Sequence, residues 1–223
     1  TNDVVLGAIP TFERWGWGNH IELGTVSNNV SLLLFKAKDD ANSISNLYDS
    51  SAVFKPAENL IFGITTKQKV NKHLSFDSEI DWSAYTNNTR VQESVLQGFS
   101  YLNNLGSLFY ANSTTTFNKA ILANLKYSKK SLGIKFGYRR IDPEYKTMGS
   151  VYLNNDFEDL TTSIAYKFLK NKINFNVTGG LQRNNLKEDK ATEMLRRIYA
   201  VAANYVPNNK WNFNLQYSNF NAN

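Results

Sequence analysis

Charged residues that could line a passage for polar solutes recur at every second position of one segment. Asp77, Glu79 and Asp81 occupy alternate positions in a segment that also contains Phe76, Ile80 and Trp82, so a β-strand would place all three carboxylates on one face. Because an isolated carboxylate is costly to bury, this face is expected to contact water. The same alternation in neighbouring segments puts five cations on that face: Lys67, Lys126, Lys135, Arg139 and Lys167. These residues are the predicted lumen-facing set, which could either select charged solutes or pair with one another and fill a narrow lumen.

Catalytic and cofactor-binding motifs are not recognisable in the sequence. It contains two histidines, His20 and His73, and no cysteine, which excludes disulfides, thiolate metal sites and cysteine nucleophiles. There is no G-x-S-x-G motif, phosphate-binding loop or dinucleotide fingerprint. We therefore predict a protein that is not an enzyme and uses no cofactor and no metal. A hydrolase with a buried serine and histidine is the less favoured alternative.

Acidic residues bracket one long polar segment. They are Asp142, Glu144, Asp156, Glu158 and Asp159. Clustered oxygen ligands could bind calcium, but the spacing matches no EF-hand. The preferred interpretation is a solvated loop whose carboxylates pair with Arg139, Arg140 or Lys146.

β-Strands must position these residues, and the sequence pattern that predicts strands is clearest over residues 160–220. Apolar and polar residues alternate there in two pairs of runs, and a short polar turn joins the runs of each pair, near residues 170 and 208. This pattern predicts antiparallel hairpins with one apolar and one polar face. Shorter runs of the same kind occur through the rest of the chain, and no segment clearly predicts a helix. A meander of neighbouring strands is the simplest topology.

Short turns alternate with long loops along the whole chain. The turns lie near residues 28, 71, 129, 170 and 208, and the long loops near 39–57, 87–116, 142–157 and 184–194. All long loops therefore lie at one end of the strands. We predict a single domain over residues 1–223, an all-β antiparallel up-and-down transmembrane β-barrel, or part of one, with about 10–12 strands. At the N-terminus, residues 3–9 predict a short strand and residues 12–18 a loop rich in aromatic residues.

The alternation by itself fits a soluble barrel as well as a transmembrane one. The hydrophobic fraction is 42% with a mean hydropathy of −0.42, and no apolar run approaches the ~20 residues of a spanning helix. A membrane barrel is favoured by the unequal loops, by long strand pairs, and by aromatic residues beside the short turns. The predicted interfacial girdle consists of Tyr127, Phe168, Tyr205 and Trp211.

The net charge of +6 and the pI of about 9.3 raise nucleic acid as a partner. Many lysines, however, lie in or beside tight turns, where water solvates them, as at Lys129, Lys130, Lys170, Lys172 and Lys210. No basic helix or RNA-binding motif accompanies them. We predict no nucleic-acid partner.

Residues 131–220 resemble the outer-membrane β-barrel proteins of Gram-negative bacteria. The likeness is to the asparagine- and tyrosine-rich barrels of large envelope transport or secretion systems, and residues 137–145, 154–156 and 181–185 share it. The resemblance implies a location in the cell outer membrane, with outer-membrane lipid and other envelope proteins as partners. The implied function is a channel or transport wall, or the barrel subunit of an envelope transport, secretion or assembly complex. The alternatives are a scaffold barrel with a filled lumen and a soluble ligand-binding β-barrel.

The predicted number of strands is about eleven, and the last one runs toward the long loops. Bacterial barrels normally have an even number of strands. An open sheet edge in lipid would leave backbone groups unpaired. We therefore expect the chain to be an incomplete part of a larger barrel, or a barrel closed by another component.

Overall fold

A computed structural model describes residues 11–44, 54–94, 105–150 and 153–222, and this part of the chain is all-β. Ten strands follow one another: β1 Arg14–Gly24, β2 Asn28–Asp39, β3 Glu58–Lys69, β4 Leu74–Thr86, β5 Thr115–Lys129, β6 Leu132–Ile141, β7 Phe157–Phe168, β8 Ile173–Asn184, β9 Leu195–Asn208 and β10 Trp211–Ala222. The described residues include no α-helix, only a single 3₁₀ turn at Gly106–Leu108. The strand predicted at residues 3–9 lies outside the described residues.

The ten strands form one sheet in which each strand pairs with its neighbours in sequence. Every pairing is antiparallel, which confirms the predicted up-and-down topology. In the described part of the chain no pairing joins β1 to β10, so the sheet is open. This arrangement is compatible with part of a β-barrel.

Connections at the two ends of the strands differ strongly in length. The short ones comprise residues 25–27, 70–73, 130–131, 169–172 and 209–210. The long ones comprise residues 40–57, 87–114, 142–156 and 185–194. The two ends are called the short-turn end and the long-loop end below. β1 begins and β10 ends at the long-loop end.

The prediction of an aromatic loop at residues 12–18 is wrong, because β1 begins at Arg14. Trp15 and Trp17 lie on one face of the strand, and Gly16 and Gly18 on the other. At Gly16 the neighbouring strand approaches closely, because a Cβ there would lie only 3.0 Å from the carbonyl oxygen of Lys36. Tryptophan alternating with glycine does not look like an apolar–polar strand pattern, although the chain is extended.

The pairing register carries the same two faces through all ten strands. One face, the apolar face, contains mainly aliphatic and aromatic side chains, for example Ile21, Leu32, Phe62, Ile80, Leu125, Phe136, Ile164, Val177, Val201 and Leu215. The opposite face, the polar face, contains mainly Asn, Thr, Ser, Gly and charged residues. Side chains alternate strictly in an extended strand, so the antiparallel register alone makes each face continuous.

Buried apolar side chains are concentrated at the long-loop end of the sheet. Leu60 and Ala84 pack there with Phe109 and Ala111, which belong to the second long loop. In the middle of the apolar face the side chains are exposed to a large extent, and Leu215 is 70% exposed. The described chain therefore does not cover most of its own apolar face.

Candidate functional site

The predicted lumen-facing residues all lie on the polar face. Lys67 is the cross-strand partner of Asp77, and Lys126 is the partner of Lys135. The register places the other four on the same face: Glu79, Asp81, Arg139 and Lys167. The structure thus brings the charges together over strands β3 to β7. That this face lines a lumen stays a prediction.

Two ion-pair networks run across the polar face. Lys126 Nζ lies 2.6 Å from Asp77 Oδ1, and Asn124 Nδ2 donates to the other oxygen of Asp77 at 2.8 Å. In the neighbouring strands the Arg139 guanidinium donates to Asp159. Asp159 is buried and also accepts a hydrogen bond from a glutamine of β8. Several of these charges are therefore held by partners of opposite sign.

The third long loop crosses the polar face at the long-loop end. Its Met148 backbone N–H donates to Oδ1 of Asn59 at 3.0 Å, and the Ser83 hydroxyl donates to the carbonyl of Lys146 at 2.6 Å. Asn59 and Ser83 are both fully buried beneath it. Residues 142–150, called the inner loop, are therefore fastened to β3 and β4 by buried polar contacts.

A cavity of about 520 Å³ separates the inner loop from the sheet. Its wall is mostly apolar, and Glu79, Asp81 and Arg139 are the charged residues that line it. Tyr145 of the inner loop is also in this wall, and burial together with the nearby carboxylates of Asp81 and Glu79 raises the pKa of Tyr145 above its usual range. The phenol of Tyr145 therefore keeps its proton at physiological pH and can act as a hydrogen-bond donor.

The acidic residues around the inner loop each lie beside a cation. The pairs are Asp142–Arg140, Glu144–Lys187, Asp156–Lys190, Glu158–Arg183 and Asp159–Arg139. Lys146, a predicted partner, instead donates to Asn87 at 3.0 Å and lies over the ring of Tyr85. Among the described residues, no group of three or more His, Cys, Asp or Glu side chains could hold a metal ion. Ion pairing accounts for the positions of these carboxylates.

The predicted girdle residues lie at the short-turn end of the sheet. Tyr127, Phe168 and Tyr205 are on the apolar face, and Trp211 begins β10 at a register shift. Trp211 stacks on Phe213 at 6.1 Å between ring centroids, and Phe213 stacks on Tyr205 at 6.2 Å.

Sequence reasoning missed two aromatic rings that extend the girdle. They are Phe213 and Tyr166, whose ring lies 4.5 Å from that of Phe168. Both occur two positions from a predicted girdle residue, so continuing the alternation by one step would have found them.

Charged residues border the apolar face at the opposite, long-loop end, and sequence reasoning missed this border as well. Lys36 and Lys38 of β2 flank Glu58 of β3 at 3.0 and 3.5 Å, and Glu58 is fully buried. Further along the same border, Arg140 and Arg183 flank Glu158. The run of leucines in β2 has no clear period, so only the register assigns Lys36 to the apolar face.

Lys119 of β5 and Arg197 of β9 are on the apolar face too and belong to the same charged border. Between the two borders the apolar face carries no charged residue in any of the ten strands. In β5 the charge-free stretch lies between Lys119 of the charged border and the girdle residue Tyr127, and in β7 between Glu158 and Phe168. At ~3.3 Å per residue and a strand tilt of ~35–45°, the stretch spans roughly 19–22 Å in β5 and roughly 23–27 Å in β7. The band has the height of the apolar belt of a transmembrane barrel.

Comparisons with family models, curated proteins and solved structures found no match for this chain. Within the described residues, no helix has the length and apolar character needed to cross a membrane.

Proposed function

We propose that the chain forms part of the transmembrane wall of a Gram-negative outer-membrane β-barrel. The barrel would serve as a channel or transport wall, or as a subunit of an envelope transport, secretion or assembly complex. The observation that carries this proposal is the charge-free apolar band between an aromatic border and a charged border. Such a band supports contact with lipid, because aromatic rings favour membrane interfaces and charges avoid the hydrocarbon.

The exposure of the apolar face supports the proposal. Leu160, Ile164 and Leu215 are all exposed, and no other described element covers them. Monomeric soluble proteins rarely expose a contiguous apolar surface of this extent, whereas membrane proteins do so as a rule. The combination of short turns at one end and long loops at the other is also typical of outer-membrane barrels.

A soluble ligand-binding barrel is less well supported. In that architecture the apolar face would have to pack on itself as an interior core. The buried apolar cluster around Leu60 and Phe109 instead lies at the long-loop end, and the middle of the face is open.

A scaffold barrel with a filled lumen is a second candidate, favoured by the inner loop and the ion pairs on the polar face. Asn59 and Ser83 hold the loop across that face, and Asp77 is neutralised by Lys126. The channel and the scaffold barrel need the same transmembrane wall and differ only in whether the lumen is open or filled. Conductance of the full-length protein in planar bilayers would favour a channel. A folded, silent protein that copurifies with envelope partners would favour the scaffold.

Arginine substitutions at two neighbouring positions in β8 test whether the apolar face contacts lipid. Val177 lies on the apolar face and Asn176 on the polar face. We expect Val177→Arg to destabilise the membrane-inserted protein by about 2–4 kcal/mol near the midplane, and Asn176→Arg to be tolerated. Heat-modifiable gel migration and urea unfolding of the full-length protein in lipid vesicles measure the difference. Equal effects of the two substitutions, or clean refolding in water without detergent, would contradict the membrane assignment.

A further inference from the structure

Part of the second long loop folds onto the apolar face. Residues 105–111, called the flap, bury Phe109 to 1% exposure against Leu60 and Ala84. The Lys36 ammonium donates to the backbone carbonyls of Ser107 at 3.2 Å and of Leu108 at 2.5 Å. Because Lys36 is buried and also paired with Glu58, the flap is anchored at the charged border of the face.

An apolar crevice of about 450 Å³ lies between the flap and strands β2 to β5. Its lining includes Leu34, Phe62, Trp82, Leu105, Leu108 and Phe117. The rings of Phe62 and Trp82 stack at 5.9 Å and form the side directed toward the middle of the apolar band. The volume falls within the ~300–1,000 Å³ of small-molecule sites, but the lining has almost no polar group to orient a polar ligand. An unbranched apolar chain suits such a crevice.

Lys119 places a positive charge beside the crevice. It is the cross-strand partner of Trp82 on the apolar face, and its side chain is exposed. In the described part of the chain its ammonium makes no ion pair, whereas Lys36 and Lys38 share Glu58. The nearby carboxylate of Asp142 is paired with Arg140 and accepts the backbone N–H of Lys119. Lys119 is therefore available to a negative group from outside the chain.

We propose that the crevice binds an acyl chain of an anionic lipid whose phosphate lies beside Lys119. This inference rests on the proposed function, because the crevice opens onto the charge-free band. Lipid is the occupant that combines an apolar chain with a negative group at the height of the charged border, and basic residues at membrane surfaces attract anionic lipids. An apolar segment of a partner protein would fill the crevice without needing Lys119.

Fluorescence quenching by brominated lipids tests the proposal in the full-length protein. In a variant whose other tryptophans are replaced by phenylalanine, Trp82 reports contact with the crevice. The protein is reconstituted into phosphatidylcholine vesicles containing either brominated phosphatidylglycerol or the same fraction of brominated phosphatidylcholine. We expect Trp82 to be quenched by the anionic lipid with a preference of about fivefold. Lys119→Glu should abolish this preference, and Lys119→Gln should reduce it.

Lys129→Glu is the matched control, because Lys129 lies on the same face of β5 at the short-turn end. It should leave the preference of Trp82 unchanged. A tryptophan introduced by Leu215→Trp, with Trp82 replaced, reports the general wall and should be quenched equally by both lipids. If only the Leu215→Trp position is quenched, or if Trp82 is still quenched preferentially by the anionic lipid in Lys119→Glu, the proposed lipid site is wrong. The proposed transmembrane wall remains supported in either case. If neither position is quenched, the proposed wall itself is wrong.

Discussion

Ion pairs of similar geometry contribute differently to the stability of the fold because the burial of their side chains differs. Asp156 is 5% exposed and accepts hydrogen bonds from the Lys190 ammonium and, at 2.8 Å, from the backbone N–H of Leu186. Burial raises the pKa of Asp156, but these donors outweigh it and hold the pKa below its usual value. A carboxyl whose folded pKa is depressed stabilises the fold above its unfolded pKa of about 3.9, and the stabilisation is lost as pH falls through the folded pKa.

We expect Asp156→Asn to lower the free energy of unfolding by about 1.5–3 kcal/mol at pH 7, the range for hydrogen bonds to a charged group. Denaturant unfolding of wild type and variant at pH 7 and well below pH 4 measures it, and the difference should shrink at the acid end. Glu144→Gln is the control, because its pair with Lys187 is solvent-exposed on both sides and should be worth about 0–1 kcal/mol. A pH-independent loss would contradict the ionic origin.

At the scale of elements, Asn59 joins the inner loop to the sheet. Its amide nitrogen donates to Ser83 at 2.8 Å and to the carbonyl of Ala84 at 3.0 Å, while its oxygen accepts from Met148. All hydrogen bonds of this fully buried side chain connect β3 with β4 or with the loop. Because Asn59 is buried, water cannot readily replace these hydrogen bonds. The position of the inner loop therefore depends on the Asn59 side chain.

We expect Asn59→Ala to loosen the inner loop, because the Met148 N–H loses its acceptor at a cost of about 1–3 kcal/mol. Hydrogen exchange over residues 145–149 should accelerate about tenfold or more, since ~1.4 kcal/mol corresponds to a factor of ten. Asn118→Ala is the control, because that amide makes one longer contact, 3.3 Å, with the carbonyl of Glu144. Unchanged exchange in Asn59→Ala would show that the loop is held in another way. A rise in bilayer conductance would favour the channel over the scaffold.

At the scale of the whole molecule, the open sheet leaves β1 and β10 each paired on one side within the described residues. In hydrocarbon, an unpaired backbone N–H or C=O costs several kcal/mol, so membrane barrels pair every strand on both sides. The proposed wall therefore requires additional strands, or another component, at both edges.

We expect the backbone amides of β1 and β10 to exchange as slowly as those of β5 when the full-length protein is in membranes. β5 is the internal reference because β4 and β6 flank it. Mass-spectrometric hydrogen exchange in lipid nanodiscs measures the comparison. Rapid exchange confined to β1 and β10 would mean that the edges are open, which is incompatible with a lipid-embedded wall.

Local residue patterns were sufficient to predict most of the strands. Apolar and polar residues alternate in Leu160 to Phe168 and in Ile173 to Leu181 with few exceptions, and period-two alternation is a property of the extended chain itself. Loop lengths are equally local, which is why the two unequal ends of the sheet could be predicted. Only the first part of β1, residues 14–18, escaped recognition, because Trp15 and Gly16 do not form an apolar–polar alternation.

Tertiary contacts determine the features that periodicity does not encode. Lys36 reaches the carbonyl of Leu108, 72 residues away, and Asn59 accepts from Met148 at a separation of 89 residues. The flap, the inner loop and the charged border all depend on such distant pairs. Alternation specifies which side chains share a face, because strand geometry repeats every two residues. The loop that covers each face is determined instead by tertiary hydrogen bonds, because buried polar groups of the sheet and of the loops must be paired with one another.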